Sequence, residues 1–177
     1  MLEITYTGML AVITLTWIVT RAIRGKIRQT VNWKREVMLL EVYICFVVIA
    51  RIVYFPMSLV DGRIGSLFLE FDRISPLWIN LIPIQPLTEE YDGWVINIIG
   101  NIVMFIPVGL VWPHCFRKLD KIWKTIFAGA ALSIFIEISQ LPFYDRCSDV
   151  NDVILNTAGV TIGALLYFGV KRLRERE

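Results

Sequence analysis

Charge is scarce in this chain. Asp, Glu, Lys and Arg make up 19% of its 177 residues and hydrophobic residues 56%, whereas an ordinary soluble domain is about one quarter charged. Histidine occurs once, as His114, and cysteine three times, as Cys45, Cys115 and Cys147. Whether the cysteines could meet at a disulfide or at a metal held by thiolates depends on where the topology places them. Repeats and low-complexity tracts are absent, which removes solenoids and linker-joined arrays. A cleaved leader is not expected: the charges follow the first apolar run instead of preceding it, and no small-residue cleavage site stands out. The formal charge of +2 is too small to suggest nucleic-acid binding, and no such partner is expected.

Long apolar runs are what the chain has. A helix needs roughly 20 mostly apolar residues to cross the ~30 Å hydrocarbon core. Residues 4–20, 37–57, 94–113, 122–141 and 153–170 meet or approach that length. The expectation is an all-α polytopic transmembrane bundle of five spans, forming one integral membrane domain over residues 1–177. Lys and Arg fall in alternate connections: Arg21, Arg24, Lys26, Arg28, Lys34 and Arg35, then Arg117, Lys118, Lys121 and Lys124, then the tail from Lys171 to Arg176. The loop between the second and third spans has only Arg63 and Arg73 against six acids. Basic loops stay on the cytoplasmic side, so the N-terminus is expected outside and the C-terminus inside. That topology keeps the three cysteines apart, and no intramolecular disulfide is expected.

The outer loop, Ser58 to Gly93, is far longer than a connector needs to be. Leu67–Asp72 reads as a short strand. The apolar stretch Leu77–Pro83 is too short to span and is expected to lie at the interface or dip into it. The first span carries no ionisable residue from Ile4 to Thr20 and reads as a lipid-facing anchor.

Polar residues inside the other spans share a level. The fourth span has Thr125, Gly129, Ser133 and Glu137 at spacing four, with Gln140 beside Glu137. The third has Asn97 and Asn101, then Pro107 and Gly109, and the fifth has Asp149, Asp152 and Asn156, then Gly159 and Gly163. Glu137 and Arg51 each lie roughly 6–8 Å from the outer end of their helices at ~1.5 Å per residue. A charge at the membrane centre costs about 2.5–3.5 kcal/mol on insertion scales, so several at one level point to a common site. Arg51 and Glu137, equal in depth and opposite in charge, are expected to pair.

Gly100-Asn101-x-x-x-Phe105-x-Pro107-x-Gly109, Glu137-x-x-Gln140 and Arg146-x-x-Asp149-x-x-Asp152-x-x-x-Asn156-x-x-Gly159 follow one another in the chain. Together they resemble the VanZ-like family over about residues 72–170, and Asn80-Leu81-Ile82-Pro83 resembles a further segment often found there. The resemblance implies a bacterial envelope protein linked to tolerance of glycopeptide and lipoglycopeptide antibiotics of the teicoplanin type. It lends no settled mechanism. Many relatives carry an acid where Asn151 stands, which weakens a cation-binding role for this chain.

Each polar residue has a bland reading. Amides such as Asn97, Asn101, Gln140 and Asn156 hydrogen-bond across helices for about 0.6 kcal/mol. Gly159 and Gly163 are packing positions, with a helix contact between copies of the chain as a further option. His114 reads as a solvated loop residue on the cytoplasmic side. The sharper reading gathers Asn97, Asn101, Glu137, Gln140, Arg146, Asp149, Asp152, Asn156 and Arg51 into a ligand site. Its arginines suit a phosphate head group and its acids a cationic group. Candidate ligands are membrane lipids, a lipid-linked wall precursor or the lipoglycopeptide itself. Neither metal nor cofactor is expected. In the alternative reading Glu137 and Asp152 serve as the acid and base of an enzyme acting on a lipid-linked substrate; in a third, the Gly159/Gly163 face makes the chain a scaffold.

Overall fold

The computed structural model describes residues 2–29, 31–55, 59–60, 62–69, 79–83, 94–144 and 146–176. Five helices are long and apolar enough to cross a membrane: α1 (Tyr6–Arg28), α2 (Trp33–Tyr54), α3 (Trp94–Cys115), α4 (Ile122–Gln140) and α5 (Val150–Arg174). The chain is an all-α polytopic transmembrane protein, as its apolar runs indicate. Among the described residues, strands of two or three residues lie before α1 and between the later helices: β1 (Leu2–Ile4), then β2 (Leu59–Val60), β3 (Arg63–Ile64), β4 (Leu67–Leu69), β5 (Ile79–Asn80) and β6 (Ser148–Asp149).

Helix ends differ from the sequence reading where basic residues begin. α1 continues through Arg21, Arg24 and Lys26 to Arg28, and α5 through Lys171 and Arg172 to Arg174. Hydropathy marks only the length that lipid requires. Arg and Lys are good helix formers and are favoured at the C-terminal end of the macrodipole. The basic residues assigned to the first loop therefore lie on helices, and residues 29–32 alone join α1 to α2. Gln29 turns the chain with φ 54°, and the Asn32 side chain caps α2 by accepting from the Arg35 N–H at 3.2 Å.

The chain packs as two compact units, residues 1–71 with 143–145 and residues 72–142 with 146–177. In the first, α1 and α2 form a helical hairpin. Near the connection Arg21 grips Glu36 in a two-pronged ion pair, its Nε donating at 2.7 Å and its Nη2 donating to the other oxygen. Further along, the Thr14 and Tyr43 hydroxyls meet at 2.8 Å and the Trp17 and Tyr43 rings at 5.7 Å. Val12, Leu15, Ile18 and Val19 are more than half exposed, as lipid-facing residues should be. At the other end of the hairpin β1 pairs antiparallel with β4, and Leu69 bridges to Phe143. Phe55, Leu67 and Phe143 are buried there as a small core. The expected strand is thus present over Leu67–Leu69; residues 70–72 lie outside those described.

The second unit is the three-helix bundle α3–α4–α5, in which α4 runs against its two neighbours. α3 and α5 touch backbone to backbone. A Cβ added at Gly159 would come within 2.1 Å of the Ile102 carbonyl oxygen, one at Gly163 within 2.2 Å of that of Ile106, and one at Gly109 within 2.2 Å of that of Val160. The glycine face considered for a contact between copies is filled by α3 of the same chain. α3 runs on through Pro107 and Pro113. His114 belongs to its last turn and not to a loop, with its ring 6.4 Å from that of Tyr167. Helix spacing explains the difference: the apolar run ends at Pro113, but the helix needs no further apolar residue to complete its turn. Of the apolar stretch Leu77–Pro83, residues 77 and 78 lie outside those described. Ile79–Asn80 is the extended strand β5, paired in parallel with β6.

Candidate functional site

α4 buries its polar stripe and shows its apolar faces outward. Thr125, Ser133, Glu137 and Gln140 are all at most 5% exposed, while Phe127, Ile134, Phe135 and Ile138 are about half exposed or more. In lipid this is the stable arrangement, because polar groups gain partners only inside the bundle. The stripe meets α5 at matched steps of four. Gly129 lies against Val160, so that a Cβ there would come within 2.5 Å of a valine methyl. One turn on, Asn156 Nδ2 donates to Ser133 Oγ at 2.9 Å. The next step brings Glu137 toward the start of α5, where Asp149 and Asp152 both act on its charge.

The start of α5 organises the cluster. Asp149, extended at the N-cap position, accepts from the Asn151 N–H at 2.8 Å, the capping geometry that a short carboxylate favours. Asp152 follows in the first turn, where negative charge meets the positive end of the macrodipole. Glu137 accepts from the Asp149 backbone N–H at 2.9 Å, and the Ser148 hydroxyl lies near enough to favour its charged form. From α3, Asn101 Nδ2 donates to Asp152 at 2.7 Å and to Asn97 Oδ1 at 3.2 Å. The segment before α3 is tied in as well: Asn80 Nδ2 donates to Asp149 at 3.1 Å, and Asn151 Nδ2 to the Ile82 carbonyl at 3.0 Å and Asp149 Oδ1 at 2.7 Å. Arg146 is close enough to act on the charge of Asp152.

Eight of the nine residues expected at the site thus gather at one end of this bundle: Asn97, Asn101, Glu137, Arg146, Asp149 and Asp152, with Asn156 one turn deeper and Gln140, buried in the last turn of α4, beside them. Asn156 is 1% exposed, and its Oδ1 has no donor among the described residues. Arg51 belongs to the first unit. There its Nη1 donates to the Phe55 carbonyl at 3.2 Å and its guanidinium lies 5.8 Å from the centre of the Tyr6 ring. Sequence reasoning passed over Ser148, Asn80 and Asn151 as site residues. Asn80 stood in a segment that the resemblance named, and Asn151 was noted only as a missing acid, although its amide donors are what hold Ile82. Ser148 carried no signal in the sequence.

Chemically the cluster is a set of acceptors anchored by amides, with three carboxylates and one guanidinium. Among the described residues no group of three His, Cys, Asp or Glu has the geometry to hold a metal ion. Just outside the span Cys147 is exposed. Its thiol is pushed above the ordinary value, first by partial burial of its sulfur and then by the charge of Asp149.

The VanZ/LLP1 family model matches residues 9–172, so the likeness extends through α1 and α2, beyond the stretch from about residue 72 that the motifs marked. Protein VanZ of Enterococcus faecium is 37% identical over 71 residues, which cover 40% of this chain and 44% of that protein. The chain therefore spans less than half the length of that relative. No solved structure matches it. With a match running from the first helix almost to the end of the last, the chain belongs to the VanZ/LLP1 family.

Proposed function

We propose that this protein resides in the bacterial cytoplasmic membrane, N-terminus out and C-terminus in, and raises tolerance to teicoplanin-type glycopeptides. It does so by binding a lipid head group, a wall precursor or the antibiotic itself at the polar end of the α3–α4–α5 bundle. One observation carries the reading: two hydrogen-bonded groups, Asn101 with Asp152 and Glu137 with Asp149 and Asn151, drawn from three helices, lie side by side on the first turn of α5 at one end of a bundle that is otherwise apolar outside. Pure packing needs far fewer charges than this. The distribution of Lys and Arg supports placing that end outside. Resemblance to the VanZ-like family supports the link to glycopeptides.

A second reading, a membrane-embedded enzyme acting on a lipid-linked substrate, is favoured by Glu137 and Asp152 lying within electrostatic reach of each other. The discriminating experiment measures teicoplanin tolerance and the lipid profile of cells expressing wild-type, Asp152→Asn or Glu137→Gln protein at equal membrane levels. Binding predicts that Asp152→Asn lowers tolerance while the lipids stay unchanged. Glu137→Gln keeps an oxygen that can accept from the Asp149 N–H, so a binding protein retains most of its tolerance. Catalysis predicts that Glu137→Gln abolishes tolerance and removes a lipid product. Full tolerance in both variants would defeat either reading of the site.

A further inference from the structure

The opposite end of the same bundle carries a second concentration of charge. Tyr167 of α5 meets the end of α3 there: its ring faces His114 at 6.4 Å and its hydroxyl donates to the Pro113 carbonyl at 3.5 Å. Two basic runs flank this contact. Arg117, Lys118, Lys121 and Lys124 occupy the α3–α4 turn and the start of α4. Lys171, Arg172, Arg174 and Arg176 lie one turn and more beyond Tyr167. Only Asp120 and Glu175 oppose them among the described residues, and each is already taken, Asp120 by Lys124 at 2.6 Å and Glu175 by Lys171 at 3.9 Å. Three cations on each run are left without a carboxylate among the described residues, and all six are exposed.

Two further features belong to the same end. Lys121 begins α4 without a side-chain cap and no acid follows in the first turn, so the free N–H groups of that turn add positive potential where helices commonly carry an acid. Trp123, 55% exposed with Lys124 Nζ 5.8 Å from its ring centre, is the residue type that settles at head-group level. The cations thus flank, at the end of the apolar spans, a residue of the type that prefers head-group level.

We infer that this basic end of the α3–α4–α5 bundle is a binding surface for the head groups of anionic phospholipids. It gathers them from whichever leaflet it faces. The phosphate oxygens accept from the guanidinium and ammonium groups of the two runs, and the acyl chains lie against the exposed apolar faces of α4 and α5. Each Lys or Arg near an anionic surface strengthens attraction by about 1 kcal/mol, so the removal of three should weaken binding on the order of a hundredfold. The inference does not depend on the role of the polar end.

The test is thermal unfolding of the purified full chain in a neutral detergent, with lipid added at one fixed mole fraction. Phosphatidylglycerol should raise the midpoint by roughly 5 °C, and phosphatidylcholine by about 1 °C or less. The variant Arg117→Ser/Lys118→Ser/Lys121→Ser, altered only at exposed positions, should lose most of the phosphatidylglycerol shift while keeping its lipid-free midpoint. Arg172→Ser/Arg174→Ser/Arg176→Ser should do the same, which guards against a folding defect in either one. Equal shifts from both lipids, or full retention of the phosphatidylglycerol shift by both variants, would overturn the inference. So would an equal shift from millimolar inorganic phosphate alone, since that would make the ligand a free anion.

Discussion

The Cys147 thiol sits beside a carboxylate and partly out of water, and both disfavour the thiolate. Its reaction with a maleimide should accordingly be slower at pH 7 than that of an ordinary exposed thiol. The rate should keep climbing with pH beyond the point where a free cysteine levels off. Replacing Asp149 with Asn removes the second cause and should shift the rate profile to lower pH; an unmoved profile would mean that the Asp149 charge does not act on the thiol. Residue identity made most of the cluster legible before the fold was known, because an acid or amide in an apolar run is conspicuous. What it did not supply was who bonds whom. Sequence offered Glu137 an arginine as partner, yet its oxygen is engaged by a backbone N–H twelve residues later, a group that every residue has and no sequence pattern marks. Asn151 looks like a lost charge until its two amide bonds are seen.

Among the elements, α3 and α5 depend on glycine at the positions where they touch. Gly159→Ala would drive a methyl into the Ile102 carbonyl, and such overpacking typically costs about 1–3 kcal/mol. Gly100, on the same α3, has nothing within 4 Å of an added Cβ. Gly100→Ala should thus be neutral or stabilise the helix by up to about 1 kcal/mol. Thermal unfolding of the two variants in detergent checks the pair, and equal losses would mean that the close approach is not what holds the helices. The Gly159/Gly163 spacing was legible as a packing face; that its partner is α3 was not, because any helix with a free carbonyl ridge satisfies it. The helices themselves were legible from hydropathy, apart from the ends of α1 and α5, where basic residues continue a helix that lipid no longer requires.

Across the whole molecule, topology can be read with reporters on both faces, but burial dictates which. Cys115 is only 5% exposed, so an impermeant maleimide should miss it from either side. The inner reporter must be exposed, and Lys118→Cys in a Cys115→Ala background meets that need. In intact cells Cys147 should label, slowly but without permeabilisation, and the cysteine placed at 118 only after the membrane is permeabilised; the reverse order would turn the chain over. The interior of the α3–α4–α5 bundle also bears on the energy economy of the cell. Its buried polar column stops at Ser133 and Asn156, and the next hydroxyl on the stripe, Thr125, lies about 12 Å further along the helix axis. Val160, wholly buried against Gly129, fills the interval, and the Thr157 and Thr161 hydroxyls donate back to their own helix at 2.7 and 2.8 Å. Among the described residues, the stripe on α4 offers a proton no side-chain hydroxyl between Ser133 and Thr125. Vesicles holding the wild-type chain should therefore keep an imposed pH gradient as long as protein-free vesicles do, and Val160→Ser, which places a hydroxyl in that interval, is the substitution expected to shorten the decay if the valine is what separates the two polar levels.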